Sequence, residues 1–180
     1  MDETQQRCVE AFSQWLAGLP VDARGLLLLL ADESAPEVHR RWAATAVGYL
    51  VKSLDLIPEG AEDLVYTEDA FVLRVAAARA VNAVEQGVDE ATLLGRLARE
   101  TELIQAFLGS TYPRLSAFVA TLAAVPVQGF PVEALVGQAE PCAELGAQVE
   151  HWASHFCAPV LEHPEMALVK LKAFLDAKLP

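Results

Sequence analysis

The sequence predicts an all-α fold, a compact bundle of about seven to eight helices, on three observations. Apolar residues recur at three- and four-residue spacing along most of the chain, which places them on single helical faces. The periodic segments are separated by Gly, Pro and capping residues. No run alternates apolar and polar residues with the period of two that a half-buried strand needs, and there is no internal repeat.

Taken in order, Val9, Phe12, Trp15, Leu16 and Leu19 define a first helix that Gly18 and Pro20 are expected to end. A second, over about Val21–Asp32, is apolar on all sides and is expected to be central. Pro36 and Glu37 suit the first turn of a third, where a missing amide costs nothing and a carboxylate meets the positive end of the dipole. That helix delivers Trp42, Ala46, Tyr49 and Leu50 to the core and ends near Lys52. Pro58 disfavours helical geometry at Ile57, so Ser53–Gly60 reads as an extended or tightly turned link.

Thr67 is the expected N-cap of a fourth helix, with Glu68 and Asp69 in its first turn and Gly87 closing it. Asp89 and Glu90 open a fifth that Gly109 closes. Ser110 or Thr111 caps a sixth, with Pro113 in its first turn. Val125–Gly137 reads as a linker, and two further helices are expected over roughly Pro141–Ala158 and Pro164–Leu179. The expected organisation is a helical core over residues 1–124 and a C-terminal helical extension over 125–180 packed on the same core.

Composition bounds the function. The 180 residues are 53% hydrophobic with a mean hydropathy of +0.28. Even so, no apolar run reaches the ~18 residues of a membrane span. Leu115–Val132 is free of charge but is broken by Pro126, Gly129 and Pro131. The N-terminus lacks the basic and apolar regions of a secretory signal, and a cytoplasmic location is expected by default. A net charge of -12 argues against nucleic acid, whose phosphates require a Lys/Arg-rich surface. The three cysteines, Cys8, Cys142 and Cys157, form no C-x-x-C pair and are expected to be small core residues.

The stretch Tyr49–Asp69 concentrates the chemistry. Between Lys52 and Arg74 stand Asp55, Glu59, Glu62, Asp63, Glu68 and Asp69 and no cation, which is half of the net charge of -12. Such carboxylates are candidates to bind a partner or an oxygen-seeking divalent ion, whereas helix capping and solvation account for them with no ligand. A second candidate is the pair His151 and His155, four apart on one helical face, the spacing of metal-binding helices. Tryptophan at 152 rules out the H-E-x-x-H arrangement. The chain has no G-x-S-x-G, no phosphate-binding glycine loop and no E-x-x-H, so no catalytic residue is assigned and no cofactor is expected.

The motif Tyr49-Leu50-x-x-Ser53-Leu54-Asp55-Leu56-Ile57-Pro58-Glu59, with Leu64-Val65-Tyr66-Thr67-Glu68-Asp69-Ala70 after it, resembles the signature of the YkvA-like domain, a small bacterial helical family of unknown function. That family's pattern reads approximately Tyr-Leu-x-x-Pro-x-Asp-Leu-Ile-Pro-Asp, a short loop, then Gly-Tyr-x-Asp-Asp. Here Ser53 stands at the proline, Val65 at the glycine, and Glu59 and Glu68 at aspartates. The resemblance covers residues 49–70 and implies a helix-link-helix arrangement in the bacterial cytoplasm or at the inner membrane, with no established reaction. Two functional expectations result. One is a non-enzymatic interaction module whose acidic loop takes a basic or membrane-embedded protein partner, a second copy of the chain being a further candidate. The alternative is a divalent-metal-binding protein or metal-dependent hydrolase that uses the loop carboxylates.

Overall fold

The computed structural model describes residues 1–52, 56–57, 63–84, 88–161 and 163–180. Among these the chain is all-α: α1 (Glu3–Ala31), α2 (Glu37–Leu50), α3 (Thr67–Asn82), α4 (Leu93–Leu108), α5 (Tyr112–Leu122), α6 (Val132–Gly137), α7 (Ala139–His155) and α8 (Pro164–Lys178), with a 3-10 turn at Gly109–Thr111 before α5. One apolar core runs from Cys8 in α1 to Leu179 beyond α8. α3 packs against α2, α4 and α5, while α1 crosses α2, α3, α4, α7 and α8.

The expected break at Gly18–Pro20 does not occur, and the two N-terminal helices are one helix of 29 residues with Pro20 inside it. Its buried stripe explains the continuity, because Cys8, Phe12, Trp15, Leu16, Leu19, Ala23, Leu26 and Leu30 keep one phase through the proline. An interior proline costs about 3 kcal/mol, and burying each large apolar side chain returns about 1.5–3 kcal/mol. The start is fixed by a capping box in which Asp2 accepts from the Gln5 amide at 2.7 Å and Gln5 accepts from the Asp2 amide at 2.8 Å.

The C-terminal half of α1 is not the central element. Val21 is 69% exposed and Leu28 74% exposed, while Asp22 between them points inward. The enclosed helix is α3, in which every residue from Thr67 to Ala77 is buried, including Glu68, Asp69 and Arg74.

Three further differences have local causes. Thr67 is not the N-cap of α3. Tyr66 holds that position in the left-handed region at φ 67°, and Thr67 is the first helical residue. α4 begins at Leu93, later than expected, because Asp89 folds the preceding turn by accepting from the Ala91 and Thr92 amides, and Thr92 then caps the helix through the Gly95 amide at 3.1 Å. Residues 125–137 are not a loose linker. Val127 and Phe130 exchange backbone hydrogen bonds of 2.8 and 2.9 Å around Gln128 (φ 54°) and Gly129 (φ 86°), and α6 follows. Val127 is buried against Gly48 of α2, where a β-carbon would lie 2.3 Å from its methyl group. Of the cysteines only Cys8 is buried: Cys142 is half-buried and Cys157, beyond the end of α7, is exposed.

Candidate functional site

The corner between α2 and α3 is built from the motif residues outward. Tyr49 and Leu50, in the last turn of α2, are buried, and the Lys52 amide closes the helix on the Tyr49 carbonyl at 3.0 Å. Ile57 is 5% exposed and its amide donates to Glu68 Oε1 at 3.3 Å, tying the link to the first turn of α3. Leu64 is buried, and its carbonyl accepts from the Thr67 amide at 3.0 Å in the turn leading into α3.

Tyr66 carries the strain of a left-handed, non-glycine residue. Its ring is held from the C-terminal half of the chain, by Trp152 at 5.8 Å and Phe156 at 5.1 Å between centroids, and those two rings lie 5.0 Å apart. Such pairs contribute about 0.5–1.5 kcal/mol each beyond their buried area, enough to offset the cost of one left-handed residue.

Of the six candidate carboxylates, Asp55, Glu59 and Glu62 lie outside the described residues. Asp63 is half-buried. Glu68 and Asp69 are 2% and 5% exposed at the start of α3, where the helix dipole favours negative charge. Glu68 is thus committed to the Ile57 amide inside the fold rather than displayed on the surface. Among the described residues no three His, Cys, Asp or Glu side chains are placed to hold a metal ion together.

Beside this corner lies an apolar groove of about 340 Å³, lined by Tyr49, Lys52, Leu56, Phe118, Leu122 and Val125. It opens between the end of α2, the link and α5. Tyr49 and Phe118 meet edge to face at 6.0 Å. Among the described residues of the lining one cation, Lys52, stands among apolar and hydroxyl side chains. A groove of this size accommodates one or two apolar side chains of a docked segment.

One group of functional-type residues escapes the sequence reading altogether. Asp22, Arg74, Arg96 and Glu100 form a closed ring of ion pairs beneath α3. Arg74, 0% exposed, meets Asp22 at 3.4 Å and Glu100 at 2.7 Å, donates to the Ala70 carbonyl at 3.0 Å, and stacks 4.1 Å above the Trp15 ring. Arg96 completes the ring through Asp22 and, at 3.1 Å, Glu100. Burial pulls the Arg74 guanidinium down, Glu100 and Asp22 draw it back up and Arg96 lowers it again, so that it comes to rest at about 10. The pairing therefore restores only part of what desolvation removes, as expected of buried ion pairs. Two signals in the sequence announce this cluster: Arg74 is the lone charge in Ala70–Ala78, and Asp22 sits on the buried stripe of α1.

His151 and His155 lie in the last two turns of α7 with both side chains exposed and ring centroids 4.6 Å apart. Comparison with protein-family models, with curated proteins and with solved structures gave no match to this chain. The resemblance of residues 49–70 to the YkvA-like pattern rests on the residues quoted for it.

Proposed function

We propose that the chain is a non-enzymatic helical interaction module that docks a basic, amphipathic segment of a protein partner at the corner between α2 and α3. The observation that carries this reading is the apolar groove beside Tyr49 and Phe118, lined in part by Leu56 of the stretch whose sequence bears six carboxylates. Charge complementarity gives orientation and association rate, and a desolvated apolar anchor gives residence time. Glu68, buried at the start of α3, holds the corner in shape through the Ile57 amide, and the reading assigns Asp63 and the other carboxylates of the stretch to the partner. The likeness to the YkvA-like pattern is consistent with a helix-link-helix module of this kind.

The reading is tested by titrating the protein with a helical peptide of alternating lysine and leucine faces, monitored by calorimetry. The comparison is with a Glu59→Gln, Glu62→Gln, Asp63→Asn variant and with Leu122→Arg at the groove. Saturable binding at unit stoichiometry is expected, weakened at least about tenfold by either change. Equal affinity for all three proteins would overturn it. Elemental analysis of protein purified without added metal supplies the contrary outcome: a divalent ion at unit stoichiometry that Asp55→Asn abolishes would favour metal chemistry at the loop instead.

A further inference from the structure

We infer that His151 and His155 form a chelating site for a late transition-metal ion, Ni²⁺, Cu²⁺ or Zn²⁺, on the exposed face at the C-terminal end of α7. The site is separate from the acidic corner and does not depend on the reading given for it. Its geometry comes from the helix, since residues four apart stand one above the other on a single face. The two imidazole centroids are 4.6 Å apart with ring planes inclined by 47°. One ion with metal–nitrogen bonds of about 2.1 Å spans roughly 3 Å between its two nitrogens, within reach of these rings after small rotations.

The tautomer of one ligand is already set. Nδ1 of His155 lies 2.8 Å from the carbonyl oxygen of His151, which accepts only, so Nδ1 carries the proton and donates. That leaves the lone pair on Nε2, the arrangement in which a second hydrogen bond orients a metal-ligating histidine. Ser154 packs against the same nitrogen at 3.0 Å and donates to the same carbonyl at 2.8 Å, fixing the ring's inner edge. The adjacent carboxylate, Glu150, is paired with Arg24 of α1 at 2.9 Å.

The class of ion is set by the donors. Two imidazoles suit Cu²⁺, Ni²⁺ and Zn²⁺, in the order of stability that places copper first, and do not suit Mg²⁺ or Ca²⁺, which take oxygen ligands. With water completing the coordination, a two-histidine set holds its ion far less tightly than a full structural site. The ion joins the last two turns of the helix, and the same turns carry Trp152 and Phe156, which clasp Tyr66. Trp152, next in the chain to His151, is therefore a built-in reporter.

The experiment titrates the full chain, carrying Cys157→Ser to remove the exposed thiol, with NiCl₂ and ZnCl₂ at neutral pH. Calorimetry follows both ions, and quenching of tryptophan emission follows Ni²⁺. The expected result is one saturable site per chain, tighter for Ni²⁺ than for Zn²⁺, with affinity reduced at least about tenfold in His151→Gln and in His155→Gln and no response to MgCl₂. At an ion concentration of one hundred dissociation constants the melting temperature should rise by about 5–10 °C in the Cys157→Ser protein and not in the double histidine variant. Absence of saturable binding below about 1 mM, or binding that survives loss of both histidines, would overturn the assignment. Circular dichroism of the variants confirms the fold in either case, because both side chains are exposed.

Discussion

Replacing Arg74 by methionine tests the buried ion ring directly. Methionine keeps most of the apolar stem and removes the charge, so Asp22, 5% exposed at its side chain, and Glu100, 22% exposed, are left to share Arg96 alone. Breaking a buried pair from one side costs about 3–5 kcal/mol. Arg96 is 39% exposed and remains in place, so the lower end, about 3 kcal/mol, is expected. The lost stacking on Trp15 and the lost bond to Ala70 fall within that figure. For a chain of this size the melting temperature should drop by about 6–12 °C. Urea denaturation followed by tryptophan emission is the assay, since Trp15 lies against the replaced group. Adding Glu100→Gln restores a one-to-one pairing of Asp22 with Arg96, and the double variant should be at least about 1 kcal/mol more stable than additivity allows. A single variant within about 0.5 kcal/mol of wild type, or strict additivity in the double, would contradict a coupled ion ring.

Two glycines should respond with opposite sign. A β-carbon at Gly95 would lie 2.3 Å from the Asp89 carbonyl oxygen and 2.7 Å from the Glu90 Cα, both backbone, so Gly95→Ala must displace the turn that caps α4. A loss of about 1–2 kcal/mol is expected despite the better helix propensity of alanine, whereas Gly146→Ala, in α7 with nothing within 4 Å, should gain about 0.5–1 kcal/mol. Chemical denaturation of the two variants checks both signs. His39 makes stability depend on pH. Burial pushes its imidazole below 6.5, only partly opposed by a hydrogen bond with the Ala80 backbone, so the neutral form is the one the fold favours. Its contribution is therefore present above the ordinary histidine value and is lost as pH falls through it. Stability measured from pH 7.5 to 5 should fall more steeply in wild type than in His39→Gln, by at most about 1.4 kcal/mol per pH unit, and parallel profiles would contradict this.

Helix identity was legible wherever apolar spacing was long and punctuation clear, as in α2, α5 and α8. Pro20 misled because a proline is read locally, whereas the phase of Phe12, Leu16, Leu19, Ala23 and Leu26 across it is a tertiary fact. Apolar content misled at Val21 and Leu28, which face outward. The innermost helix is the one carrying Glu68, Asp69 and Arg74, and Arg74 is paired with Asp22 and Glu100, distant in sequence. Thr67 had the right chemistry for a cap, but the clasp of Trp152 and Phe156 on Tyr66 decides where the helix begins, and no local signal announces a contact across some ninety residues. The candidate site was legible as charge density and not as shape. The groove beside it needs Tyr49 and Phe118 together, which only the packing of α5 supplies.

We propose that a partner docks at the corner of α2 and α3. Hydrogen exchange read by mass spectrometry, with and without the saturating lysine–leucine peptide, measures this most directly. Slowed exchange confined to peptides covering Tyr49–Asp63 and Phe118–Val125 is the predicted result. Protection centred on α7 or α8 with those two segments unchanged would contradict it.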